Sequence, residues 1–238
     1  MTFRPLIPCL AALLPIASSG TLVAHYPLDT DALDASGNGY DGSVVGGTVN
    51  FGQAGANGNT GSSAAFPDQG RIDVPFNSAL NPASYTVTLW ANASSTNGFA
   101  SPITSRDDTP NSVHGYLLYN DNSGNWNNWT GSGGGPGSWD QLPGGAVSTD
   151  TWTHLALSYD AATNTKSFYV DGSLAGSKNT GLLYSPNGTV QSEDLHIGAG
   201  ADSGGAFFFS GNIDDVSIWN TALDEAAILN IKDNGVAS

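Results

Sequence analysis

Gly211-Asn-Ile-Asp-Asp-Val-Ser-Ile-Trp-Asn-Thr-Ala-Leu-Asp224 joins an alternating stretch to a helix start and carries two adjacent carboxylates. Read as a strand, its period of two puts Asp214, Val216 and Ile218 on one face and Ile213, Asp215, Ser217 and Trp219 on the other. One carboxylate then shares a face with aliphatic side chains. A carboxylate turned toward a core is costly unless it is paired, and the chain has only 6 Lys and Arg, so a bound divalent cation is one natural partner. A solvated position at the sheet rim is the other reading of the same pair. Thr221-Ala-Leu-Asp224 has the form of a capping box, and Ala226, Ala227, Ile228, Leu229 and Ile231 give the helix that follows an apolar face, ended by Asn234-Gly235. One short helix on an otherwise strand-like chain reads as a lid without chemistry.

Working outward, alternating segments recur about every ten residues. They occupy 22–28, 62–66, 71–74, 85–92, 151–160, 166–174 and 195–198, and the segments 115–120 and 126–130 form a hairpin across Asp121-Asn-Ser-Gly-Asn125. Asp171-Gly172 is a tight-hairpin signal. Gly is abundant, 31 of 238 residues, and is scattered among short runs, which marks many turns rather than a linker. The pattern predicts one all-β sandwich or jelly roll over 20–238, with no internal repeat.

Residues 1–19 read as a signal peptide: Arg4 is the positive start, 6–16 is an apolar run too short to span a bilayer, and Ala17-Ser-Ser19 offers a cleavage site. The mature chain is expected to be secreted, extracellular or periplasmic, without membrane insertion. Cys9, the sole cysteine, falls in that segment, so neither disulfides nor thiolate zinc sites are expected. A formal charge of -15 makes nucleic acid and anionic membranes poor partners.

The loop 29–42 sets Asp29, Asp31, Asp34, Asn38 and Asp41 among glycines, a density of hard oxygen ligands that also suits a turn capping its own backbone. It lacks the helices and the closing Glu of an EF-hand. A second concentration is aromatic. Tyr116, Tyr119, Trp126, Trp129 and Trp139 lie in or beside one hairpin, interleaved with Asn120, Asn122, Asn125, Asn127 and Asn128, and Arg106 and Asp108 sit in the loop before it. Flat rings meet the apolar faces of sugars while amides and carboxylates meet hydroxyls, so this mixture suits a carbohydrate site. The competing reading is that these rings are core, because alternation must bury one side.

The phrases Tyr26-Pro-Leu-Asp29, Asp34-Ala-Ser-Gly-Asn-Gly-Tyr-Asp-Gly42, Tyr85-Thr-Val-Thr-Leu-Trp90, Trp152-Thr-His-Leu-Ala156, Tyr169-Val-Asp-Gly172 and Gly211-Asn-Ile-Asp-Asp-Val-Ser-Ile-Trp219, in that order, resemble the laminin-G-like, concanavalin A-like lectin and glucanase domains of secreted bacterial proteins. The resemblance implies a two-sheet antiparallel jelly-roll sandwich with a short C-terminal helix. It also implies a calcium ion at the sheet rim, and by position it assigns Asp34, Asn38, Asp41, Asp214 and Asp215 as ligands. Activity does not follow from this fold. The Glu-x-Asp-x-x-Glu strand of laminarinase-type members is absent, as are the strands of jelly-roll alginate lyases and any Gly-x-Ser-x-Gly elbow. The expected function is a non-catalytic, calcium-stabilised, lectin-like domain binding a glycan or polysaccharide. Trp126, Trp129, Trp139 and Tyr119 would stack, with Asn120, Arg106 and Asp108 as polar contacts. A structural or adhesive domain with a cell-surface protein partner is the alternative, and a glycan-cleaving enzyme with an unrecognised Asp-based site is the third.

Overall fold

The computed structural model describes residues 20–108, 111–179, 181–200 and 206–236. The expected signal peptide, 1–19 with Cys9, lies outside the described residues. Strands follow one another as β1 (Leu22–Tyr26), β2 (Ser43–Gly46), β3 (Asn50–Ala54), β4 (Ser62–Phe66), β5 (Gly70–Val74), β6 (Tyr85–Ala93) and β7 (Ala100–Asp107). Then come β8 (His114–Asn120), β9 (Asn125–Thr130), β10 (Asp140–Ala146), β11 (Trp152–Asp160), β12 (Thr165–Val170), β13 (Ser173–Asn179), β14 (Leu195–Ile197) and β15 (Gly211–Trp219), with one α-helix among the described residues, α1 (Glu225–Asn234), and a 3-10 turn at Ser78–Leu80.

Two antiparallel sheets result. The first runs β13-β12-β11-β6-β15-β4-β3, with β1 also on β15, and the second runs β10-β9-β8-β7-β14-β5-β2. Between them lie the inward members of each alternation: Tyr85, Val87, Leu89 and Ala91 of β6, Leu155, Leu157 and Tyr159 of β11, and Tyr116 and Leu118 of β8. The expected jelly-roll sandwich is what these residues build.

β15 departs from strict alternation. Asp214 pairs with Trp90 but Ser217 pairs with Thr88, so β15 holds one residue more than β6 over that interval. Asp215 takes up the excess in the left-handed region at φ 51°. The bulge reverses the facing after it, so Ile213, Val216 and Ile218 all reach the core. Asp214 therefore does not share a face with Val216 and Ile218, as uninterrupted alternation requires; it turns outward with Trp90. The bulge sits where β15 changes partner on its other edge, from β4 at Gly211–Ile213 to β1 at Val216–Trp219.

The helix cap also differs from the expectation. Asp224, not Thr221, is the N-cap, and its carboxylate accepts from Ala227 N at 2.9 Å. Thr221 belongs to the approach, where its carbonyl accepts from the Thr86 hydroxyl, which itself accepts from Leu223 N at 2.8 Å. The helix lies on the outer face of the first sheet. Ile228, Ile231 and Leu223 are buried against Ala156 and Tyr169. Each such aliphatic burial contributes about 1.5–3 kcal/mol.

Candidate functional site

The outer face of the second sheet carries a pocket of about 300 Å³. β8 supplies Leu117 and Tyr119, β9 supplies Trp129, and β7 supplies Ser101 and Arg106, all on the side opposite Tyr116, Leu118 and Ile103 of the core. Loops add Phe99, Asp108, Trp139 and Phe207. The rings support one another. Trp129 meets Tyr119 edge-on at 4.8 Å and stacks on Trp139 at 6.0 Å, while Phe99 lies 5.6 Å from Tyr119 and 6.1 Å from Phe207. The Arg106 guanidinium sits 5.7 Å from the Trp139 ring and 5.9 Å from Phe207, and its Nη2 donates to Asp108 Oδ2 at 2.7 Å. The pocket is thus aromatic-walled with one paired charge as its polar handle. Burial pushes the Tyr119 phenol above its ordinary range, with Asp121 adding to it, so the hydroxyl stays protonated.

Of the residues expected from sequence, Tyr119, Trp129, Trp139, Arg106 and Asp108 converge here. Trp126 and Asn120 do not. Trp126 is a core residue, 1% exposed, because it is three positions from Trp129 and an odd offset in a strand points to the other face. Asn120 is likewise one position from Tyr119; it is fully buried and donates from Nδ2 to Gly98 O at 2.8 Å, which fastens the loop bearing Phe99. Phe99, Phe207, Ser101 and Leu117 were not anticipated. Alternation with Tyr119 marks Leu117, whereas Phe99 and Phe207 arrive from loops far away in sequence.

The expected metal residues occupy two places. Asp34, Asn38 and Asp41 shape one loop. Asp34 accepts from His25 N, Ser36 N and Tyr40 N at 2.9–3.0 Å, Asp41 accepts from Asp34 N at 3.0 Å, and Asn38 donates to Val23 O at 2.9 Å. Burial alone would raise the Asp34 pKa; those N–H groups overcome it and hold the carboxylate below its usual range.

Asp214 and Asp215 lie on the outer face of the first sheet. Asp215 Oδ1 pairs with His25 Nε2 at 2.6 Å. Asp214 Oδ2 accepts from Ala56 N at 2.8 Å and from the Thr60 hydroxyl at 2.7 Å, whereas its Oδ1 is buried without a hydrogen-bond partner. Burial raises the Asp214 pKa to about 7; these two donors oppose the rise, and Asp215 and Asp29 add to it. Among the described residues no group of three or more His, Cys, Asp or Glu is arranged to hold a metal. On the same face His154 lies edge-on to Trp90 at 5.1 Å, and burial lowers its pKa to about 3, so it is a neutral packing residue. None of the described helices is long and apolar enough to cross a membrane.

Several known folds match this one. Domain 4 of AbnA, a GH43 extracellular arabinanase from Geobacillus stearothermophilus, solved in complex with arabinotriose, is 23% identical at a TM-score of 0.67, covering 90% of this chain and 98% of that one. The CBM40 of the Ruminococcus gnavus IT-sialidase, bound to α2,3-sialyllactose, is 13% identical at 0.58, covering 71% and 95%. The receptor binding domain of botulinum neurotoxin C/D mosaic serotype is 19% identical at 0.64, and this chain, matched over 90%, spans about half (51%) of it. No curated protein matches in sequence. The family model described as the concanavalin A-like lectin/glucanases superfamily, of the laminin G type 3 group, matches residues 58–229. With that match over most of its length, the chain belongs to the concanavalin A-like lectin/glucanases superfamily.

Proposed function

We propose that the chain is an exported, non-catalytic carbohydrate-binding domain whose site is the aromatic pocket on the outer face of the second sheet. The observation that carries this reading is the convergence of Tyr119, Trp129, Trp139, Phe99 and Phe207 around one paired Arg106–Asp108. Rings of this kind desolvate the C–H faces of a sugar, and the paired fork offers a donor and an acceptor to hydroxyls. Asp108 is the one carboxylate among the described lining residues, whereas glycoside hydrolysis ordinarily uses two. The arabinotriose and sialyllactose bound by the two structural neighbours lend support.

A purified sample of the full chain screened against immobilised glycans and soluble polysaccharides tests the reading. Saturable binding without sugar release is expected, and Trp129→Ala should weaken it by about 2 kcal/mol, roughly thirtyfold. Release of cleaved product by the parent chain would overturn the non-catalytic assignment, and no binding to any glycan would overturn the carbohydrate assignment.

Calcium stabilisation belongs to the same proposal. We place the divalent cation at Asp214, where Oδ1 is buried without a hydrogen-bond partner and Asp29 and Asp215 add negative charge. Asp214 would hold the ion directly, and Asp34, Asn38 and Asp41 would act by shaping their loop. Chelator should lower the melting temperature of the parent chain, and Asp214→Asn should remove that sensitivity. A melting curve unchanged by chelator would sink the calcium claim.

A further inference from the structure

The aromatic pocket has a neighbour. Beyond Phe99 and Phe207 lies a second hollow of about 680 Å³, lined by those same two rings together with Asp68, Gln69, Phe208 and Ser210. Phe99 and Phe207 line both spaces, and at 38% and 44% exposed they form one apolar ridge at the surface. The hollow is bordered by constrained backbone at two places. Phe207 is held in the left-handed region at φ 52°, with its carbonyl accepting from Ser101 N at 2.9 Å. Gln69 is held there at φ 56°, in a turn fixed by Thr48 N donating to Asp68 Oδ1 at 2.6 Å. These two, of seven described non-glycine residues in this conformation, both border the hollow, so its walls are set by backbone rather than by rotamer choice.

Neither space offers an anion an uncompensated positive charge. Arg106, the cation of the first, is paired with Asp108, and the second carries Asp68 without a basic residue among its described lining residues. An anionic unit would meet a carboxylate in either space, in a chain already at -15. We propose, resting on the carbohydrate reading above, that the ligand is an uncharged oligosaccharide of more than one unit: one sugar occupies the aromatic pocket, and the next crosses the Phe99–Phe207 ridge to hydrogen-bond with Gln69 and Ser210 in the hollow.

The test is calorimetric titration of the full chain with arabinose, xylose and glucose and their neutral oligomers up to the tetrasaccharide, alongside galacturonic acid oligomers of the same lengths. Affinity for the neutral series that binds should rise about tenfold from one unit to two or three. Gln69→Ala, a deletion, and Ser210→Trp, a block, should each erase that gain while leaving affinity for the single sugar unchanged; both side chains are exposed, and the retained single-sugar affinity reports that each variant is folded. Affinity that does not rise with length, a length gain untouched by both variants, or tighter binding of the galacturonic series overturns the proposal and leaves the carbohydrate reading standing. No saturable binding by any probe overturns both.

Discussion

The two sheets present outer faces of opposite character. The first sheet's is closed at its centre: α1 packs on Ala156 and Tyr169, the 55–61 loop donates to Asp214 from Ala56 and Thr60, and Trp90, His154, Asp214 and Asp215 are at most 8% exposed. The second sheet's bears rings around a hollow. Strands of the same alternating type thus yield a sealed surface where an apolar helix follows β15, and a binding surface where loops raise aromatic walls. Which face a ligand uses is decided by what the connections cover, not by the strands.

The sharpest way to break this contrast is a matched pair in one strand. Trp126→Ala should cost about 3–5 kcal/mol of folding stability, read by denaturant titration, because its ring fills the core. Trp129→Ala, three residues on, should cost less stability than that and act on glycan affinity instead. If Trp126→Ala proved mild, the facing assigned to the hairpin would be wrong.

Acid should next weaken the closed face through His154, while protonation of Asp214, whose pKa is raised to about 7, acts in the opposite sense. His154 has a folded pKa of about 3 against 6.5 unfolded, so the unfolded chain binds the extra proton. The stability it contributes is complete above pH 6.5 and is lost as pH falls from there toward 3. Near pH 4 the loss should reach about 3 kcal/mol, and His154→Gln should be markedly less acid-sensitive in melting experiments. The smallest expected effect is Ile228→Val on the helix, about 1 kcal/mol of stability with glycan affinity unchanged. A change in affinity with that variant would show the two faces to be coupled.

Much of this was legible from residues. Alternation in 85–92 and 151–160 located the central strands because each buries one side against the opposite sheet, and the period of two leaves little freedom. The binding surface was half legible. Tyr119, Trp129, Trp139, Arg106 and Asp108 stand out as aromatic and charged residues near one hairpin, but that density alone does not tell outward rings from inward ones, and it put Trp126 beside Trp129 although an odd offset separates them. Phe99 and Phe207 carry no local signal, since each reaches the pocket only through the pairing of β7 with β8 and of Ser101 with the 206–209 segment.

The sequence by itself determined an all-β chain of alternating strands, the placing of a short amphipathic helix after the last of them, and an acidic surface, because periodicity and charge are local properties. Tertiary structure alone decided that β15 bulges at Asp215, that Asp214 is therefore buried outward rather than inward, and that a ridge of two distant Phe rings divides the pocket from its neighbour. Those outcomes depend on where β4 gives way to β1 along one edge and on loops meeting across a sheet, and such long-range pairings leave no mark on the residues between them.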